Sequence, residues 1–161
     1  MKKFLLKSVL VVGVGALLAV GSVSVFAQQG DKLAAIKARQ DFMKAQGADV
    51  KAISDFSKGQ GDQDAANKAA ADLVARNQKI GEVVLVPGTS TTEFPDGTKA
   101  KPELFTDTDK VKAILAALQT EEGKLVTVVK GGDKQAIADQ LAATNKAGCG
   151  ACHGAYRVNK T

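Results

Sequence analysis

Cys149-Gly150-Ala151-Cys152-His153, near the C-terminus, contains both cysteines and the single histidine of a 161-residue chain. Cys-x-x-Cys-His is the spacing of covalent c-type haem attachment. Three residues along a helix advance about 300°, so the two sulfurs lie on neighbouring edges of one face and can reach two vinyl groups of one porphyrin. His153, at i+4 from Cys149, carries its imidazole over the same face toward the iron. Two other chemistries use these residue types. A thioredoxin-like dithiol belongs beside alternating strands and helices, a pattern this sequence lacks. A structural zinc site needs four ligands, and carboxylates would have to complete the three Cys and His side chains available.

The other end of the chain agrees with haem chemistry. Lys2, Lys3 and Lys7 precede an apolar stretch from Ser8 to Phe26 that closes on Val25-Phe26-Ala27. This reads as a secretory signal peptide over residues 1–27, cleaved before Gln28, with a single domain over 28–161. A retained anchor is the alternative, because about 20 apolar residues can span a bilayer. After cleavage no stable membrane insertion is expected. Export to an oxidising space, the periplasm, is where thiols can receive haem. The remaining 134 residues carry 19 basic and 17 acidic side chains, a balance of +2 that argues against a polyanion partner such as nucleic acid.

Four helical patterns must position the motif. In the first, from a cap at Asp31 to about Lys58, Leu33, Ile36, Gln40, Met43, Gly47 and Val50 form one inward stripe. Gly47 costs about 1 kcal/mol against Ala inside a helix, so its place on the stripe suggests close approach of a flat group. Lys37, Lys44, Lys51 and Lys58 recur every seven residues along one edge, either a solvated flank or a docking edge for an acidic redox partner. The second helix starts at Asp62 or Asp64, carries Ala66, Ala69, Leu73, Ile80 and Val84 inward, and ends before Pro87. Residues 86–105 hold all three prolines and form a long surface connection. The third follows a cap at Thr106 or Asp107, with Val111, Ile114, Leu118, Leu125 and Val128 inward, and closes at Gly131-Gly132. Asp133 opens the fourth, whose series Ile137, Leu141, Thr144 and Gly148 leads into Cys152. No strand pattern appears. The predicted fold is all-α: an antiparallel four-helix bundle with one long loop between the second and third helices. Alanine-rich helices with few aromatics leave a modest core, which covalent haem would complete.

Met43 is the only methionine left once the leader is removed. A thioether favours ferrous iron and raises the potential of a His-ligated haem, so Met43 is a candidate sixth ligand; as a core filler it would ligate nothing.

The ending Cys149-Gly150-Ala151-Cys152-His153-Gly154-Ala155-Tyr156-Arg157, the run Arg39-Gln40-x-x-Met43 and Ala100-Lys101-Pro102-Glu103-Leu104-Phe105 together resemble the class II c-type cytochromes, the cytochrome c-prime family. Residues 43–47 look most like its low-spin, methionine-ligated members. The resemblance spans essentially all of 28–161 and implies a left-handed bundle in the periplasm. It implies one covalent haem c on Cys149 and Cys152, with His153 as proximal ligand. At the Met43 position the family divides: a ligating methionine gives an electron carrier, and a non-ligating residue over an open site gives a five-coordinate haem that binds nitric oxide or carbon monoxide. The resemblance also places Arg39 beside a propionate, with a solvated surface arginine as the other reading, and Arg157 beside the proximal face. Tyr156 is expected to pack on the ring or core. Phe105 stands where many members have tryptophan. Redox proteins are the expected partners, and a homodimer through the first two helices is common among relatives. No paired carboxylates or nucleophile–base set suggests an enzyme.

Overall fold

The structure is a computed structural model that describes residues 21–159, and their side chains from 28 onward. Most of the predicted leader lies outside these residues. Among the described residues no helix is long and apolar enough to cross a membrane.

Helix α1 runs Gly21–Ser57, so Asp31 sits well inside it and caps nothing. Its inward face is also rotated from the predicted stripe. Ile36, Arg39, Ile53 and Phe56 are buried, Met43 and Val50 half-buried, and Leu33, Gln40 and Gly47 exposed. Leu33 lies near the start of the packed region, where the neighbouring helices no longer cover it, and is 49% exposed. Past Ser57 the chain turns through Gly59 and Gly61, both at positive φ that only glycine adopts without strain.

Asp62 then caps α2, Gln63–Asn77, by accepting a hydrogen bond from the Ala65 amide at 2.7 Å. Ala66, Ala69 and Ala70 are buried along it, and their small side chains let α1 approach closely. The predicted second helix does not continue unbroken toward Pro87. At Lys79 the backbone leaves the helical well (φ −100°, ψ 5°), its amide bonds three residues back to Arg76, and a separate five-residue α3 follows over Ile80–Val84.

Helix α4, Thr108–Gly131, starts after Asp107, which makes no side-chain cap bond, and ends on Gly132 at φ 75°, whose amide bonds back to Val128 and Val129. Asp133 caps α5, Lys134–Thr144, through the Ala136 amide. One π-helical turn, Asn145–Cys149, then joins it to α6, Gly150–Tyr156. The helices α1, α2, α4 and α5 contact one another in a closed ring, and the short α1–α2 and α4–α5 joins make those pairs antiparallel. This is the expected four-helix bundle, its last helix being α5, the π turn and α6 end to end.

The long connection from α3 to α4 contains all three prolines and one 3₁₀ turn, Pro102–Phe105. It is more than a surface strap: Thr89, Ser90, Thr98, Ala100 and Leu104 are buried in it. Among the described residues its one β pairing is an isolated antiparallel bridge between Ala100 and Arg157, which ties the connection to the chain just beyond α6. Two apolar clusters fill the bundle. One, around Ile53, Leu73, Leu125, Val129 and Ile137, lies at the α4–α5 turn end. The other, around Val84, Leu104, Val111 and Tyr156, lies beside α6.

Candidate haem site

The Cys-x-x-Cys-His segment is helical, as its spacing requires, but reaches its position through the π turn. The Gly150 amide bonds five residues back, to the Asn145 carbonyl. One inserted residue rotates everything after it by about 100° relative to a continuous α-helix, so this turn sets which way α6 faces. Gly148 sits inside it against α4. A Cβ there would lie 2.4 Å from Leu118 Cδ1, so glycine is what lets the two backbones close.

Cys149 and Cys152 are half-buried and neither forms a disulfide. Burial raises both thiol pKa values, with a further push on Cys149 from Glu122 and on Cys152 from Cys149. Desolvation lowers the His153 pKa, and the neighbouring Arg157 charge adds to it, so the ring favours its neutral, metal-ligating form.

The motif borders a two-lobed cavity. The larger lobe, about 530 Å³, lies between α1, the long connection and α6, and includes Arg39, Met43, Leu104, Tyr156 and Arg157 in its wall. The smaller, about 230 Å³, is lined by Gln46, Gly47, Val50, Ile114, Leu118 and Cys149, among others. Met43, Cys152 and His153 border both lobes. Five of the six predicted site residues thus meet at the larger lobe, and Cys149 joins at the smaller.

Arg39 is not a solvated surface residue: it is 7% exposed. Its guanidinium donates to the Thr89 hydroxyl (2.9 Å), the Thr89 carbonyl (2.8 Å), the Thr98 hydroxyl (2.8 Å) and the Val84 carbonyl (3.2 Å). It also lies over the Phe105 ring at 5.8 Å, so Phe105 is a working partner in its non-tryptophan form. All four acceptors are neutral, and burial lowers the Arg39 pKa. A buried cation with no carboxylate at ion-pair distance is unusual. Arg157, by contrast, is exposed. Tyr156 is buried, 3% exposed, and directs its hydroxyl toward Asp107 at 3.4 Å.

These features suit a large flat apolar group with an anionic edge. Gly47, exposed and not on a buried stripe, has nothing within 4 Å of where a Cβ would project and lines the smaller lobe. Arg39 and Arg157 supply positive charge on the larger lobe, and the Cys149 and Cys152 thiols at the cavity wall could serve as covalent anchors. The lysine edge of α1 is matched within its own helix, Lys37 and Lys44 by Asp41, and Lys51 by Asp55.

Behind the smaller lobe lies a polar chain outside the predicted site residues. Glu122 on α4 is 2% exposed and accepts a hydrogen bond from the Asn77 side chain on α2; the Asn77 oxygen in turn accepts one from Gln46 on α1. Its signal was present. Glu122 falls four residues after Leu118 and three before Leu125, on the apolar stripe.

A bundle packed at one end and hollow beside a C-terminal Cys-x-x-Cys-His helix defines the class II c-type cytochromes. The family model described as Cytochrome C' matches residues 34–157, and this chain belongs to that family, whose members bind one covalent haem c. Cytochrome c-556 of Agrobacterium tumefaciens (strain II Chrys) is 32% identical over 126 residues, 78% of this chain and 98% of that one. The cytochrome c' from Rhodobacter Spheriodes superposes with a TM-score of 0.71 at 24% identity, over 80% of this chain and 98% of that chain. A nitric oxide complex of a variant cytochrome c prime from Alcaligenes xylosoxidans has a TM-score of 0.67 at 24% identity, over 80% and 97% of the two chains.

Proposed function

We propose that this protein is a periplasmic one-electron carrier with haem c bound through Cys149 and Cys152 and ligated by His153 and Met43. The observation that carries the reading is that Met43 on α1 and His153 on α6 border the same two lobes. A ring tied to α6 therefore has the only described methionine in its wall. Bound haem supplies a one-electron change at iron, which needs little reorganisation when both axial positions are filled.

The chain's own residues do the rest. Leu104, Tyr156 and Ile114 line the site with apolar surface, which favours the less charged ferrous state. Arg39, held by Thr89, Thr98 and Val84 and not by a carboxylate, keeps a positive charge for a propionate, with Arg157 as a second, exposed cation on the same lobe. The match of Lys37, Lys44 and Lys51 to α1 acids favours the solvated-flank reading of that edge over a docking one.

The second reading is a five-coordinate haem that binds nitric oxide or carbon monoxide. It is favoured by the 230 Å³ apolar lobe beside Met43 and by the nitric oxide bound to the Alcaligenes relative. A visible spectrum of the reduced holoprotein separates the two. Sharp, split low-spin bands are expected, and Met43→Ala should convert them to a high-spin spectrum that responds to carbon monoxide. A low-spin spectrum unchanged in Met43→Ala removes Met43 from the iron; a broad high-spin spectrum in the wild type makes the protein a gas binder.

A further inference from the structure

We propose that Glu122 is a proton acceptor coupled to haem reduction: as the iron gains one electron from a one-electron donor, the Glu122 carboxylate gains one proton from solvent, and it returns that proton on oxidation. The coupling rests on haem attachment at Cys149 and is independent of whether Met43 ligates.

Three observations converge on Glu122. It is sealed in the bundle at 2% exposure, no cation among the described residues pairs with it, and the side-chain hydrogen bond it accepts there comes from the neutral Asn77 amide. Cys149 and Gln46, the far end of the chain that holds Glu122, line the same smaller lobe, and the Glu122 charge acts to raise the Cys149 thiol's pKa, so a porphyrin attached there would share an electrostatic field with the carboxyl. Finally, the Asn77–Gln46 chain runs from it to the wall of the smaller lobe, where Gln46 meets the cavity. Burial lifts the Glu122 pKa to about 7, opposed in part by the Asn77 hydrogen bond. Protonation can therefore change near neutrality, where an ordinary surface glutamate stays ionised.

The groups around it leave that titration uncompensated. Helix α2 presents Asn77, with α1 contributing Gln46 behind it, and the π turn presents the Cys149 thiol. On flanking positions Arg76 is paired with Asp49, and Lys124 with Glu121. From α5, Gln140 and Thr144 bond to Glu121 and not to Glu122.

The direction follows from charge. An added electron makes proton binding more favourable, so the ferrous protein holds the Glu122 proton to higher pH than the ferric protein. Between those two values the potential falls as pH rises, by at most about 59 mV per unit, the one-electron equivalent of a tenfold change. Outside them Glu122 contributes no slope.

The test is a pH series of reduction potentials on the holoprotein, with proton uptake on reduction counted by an indicator dye in weak buffer. The wild type is expected to slope across neutrality and to take up a measurable fraction of a proton per electron. Glu122→Gln keeps the volume and stays uncharged, so it should lose at least half of both and hold the higher potential on the alkaline side. A flat wild-type potential, or wild-type slope and proton count in Glu122→Gln, overturns the proposal. If Glu122→Gln fails to fold, Asn77→Ala serves: without the amide that stabilises the carboxylate, the sloping region should move to higher pH, and an unmoved region refutes the coupling. Spectra recorded alongside report the axial ligands, so a failure of Met43 ligation is seen separately.

Discussion

The two ends of the bundle are packed by different means. At the α4–α5 turn end, Ile53, Leu73, Leu125, Val129 and Ile137 are each 2% exposed or less and meet one another directly. Around α6, Val84, Ala100, Leu104, Val111 and Tyr156 form a buried cluster, while Met43, Ile114, Leu115 and Cys152 stay half-buried along the cavity wall. The first end is a core that the chain completes alone. The second is built as a cavity wall, whose lining side chains face a large group and not one another, so close packing there depends on that group. Stability at one end thus belongs to the sequence, and at the other it is shared with the cofactor.

The largest expected effect comes from denying the second end its haem. Cys149→Ser combined with Cys152→Ser should give a chain without covalent haem, destabilised on the order of 5 kcal/mol, a large part of a typical domain's stability. Hydrogen exchange should then show amides near Leu104, Val111 and Tyr156 opening well before those near Leu73 and Leu125; equal loss at both ends would erase the distinction between them. A smaller effect probes the self-sufficient end. Leu125→Ala should cost about 2–5 kcal/mol in denaturant unfolding while leaving the haem absorption bands in place. Leu104→Ala should do the reverse, costing less stability and moving the bands. The smallest sharpens the local picture: Asp62→Ala removes the cap bond to Ala65 and should lower stability by about 1 kcal/mol with no spectroscopic change.

Much of the fold was legible because helical periodicity and punctuation agree. Asp62, Gly132 and Asp133 act where the sequence reading put them, and the prolines fall in one connection. Asp31 misled because a good capping residue is also tolerated inside a helix, and the chain before it continues helically. The inward face of α1 departs from the spacing-based stripe for a related reason. Leu33 and Gln40 fit the spacing, but Arg39 is the residue drawn inside, by acceptors 45 to 59 residues away. Its fate depends on where the long connection folds, and helical spacing carries no information about that.

Of the site, composition and spacing alone determined the haem motif, its helical state and the leading candidates Met43 and His153, because those follow from residue type and the 100° step of a helix. Tertiary structure alone decided how they meet. Gly148 closing on Leu118 and the π turn set the direction of α6. The burial of Arg39 binds the long connection over the cavity, and the meeting of α1, α2 and α4 turns Glu122, Asn77 and Gln46 into one polar chain. Each joins residues far apart in the chain through packing and hydrogen bonds, forces that act across space and leave no periodic trace in the order of the residues.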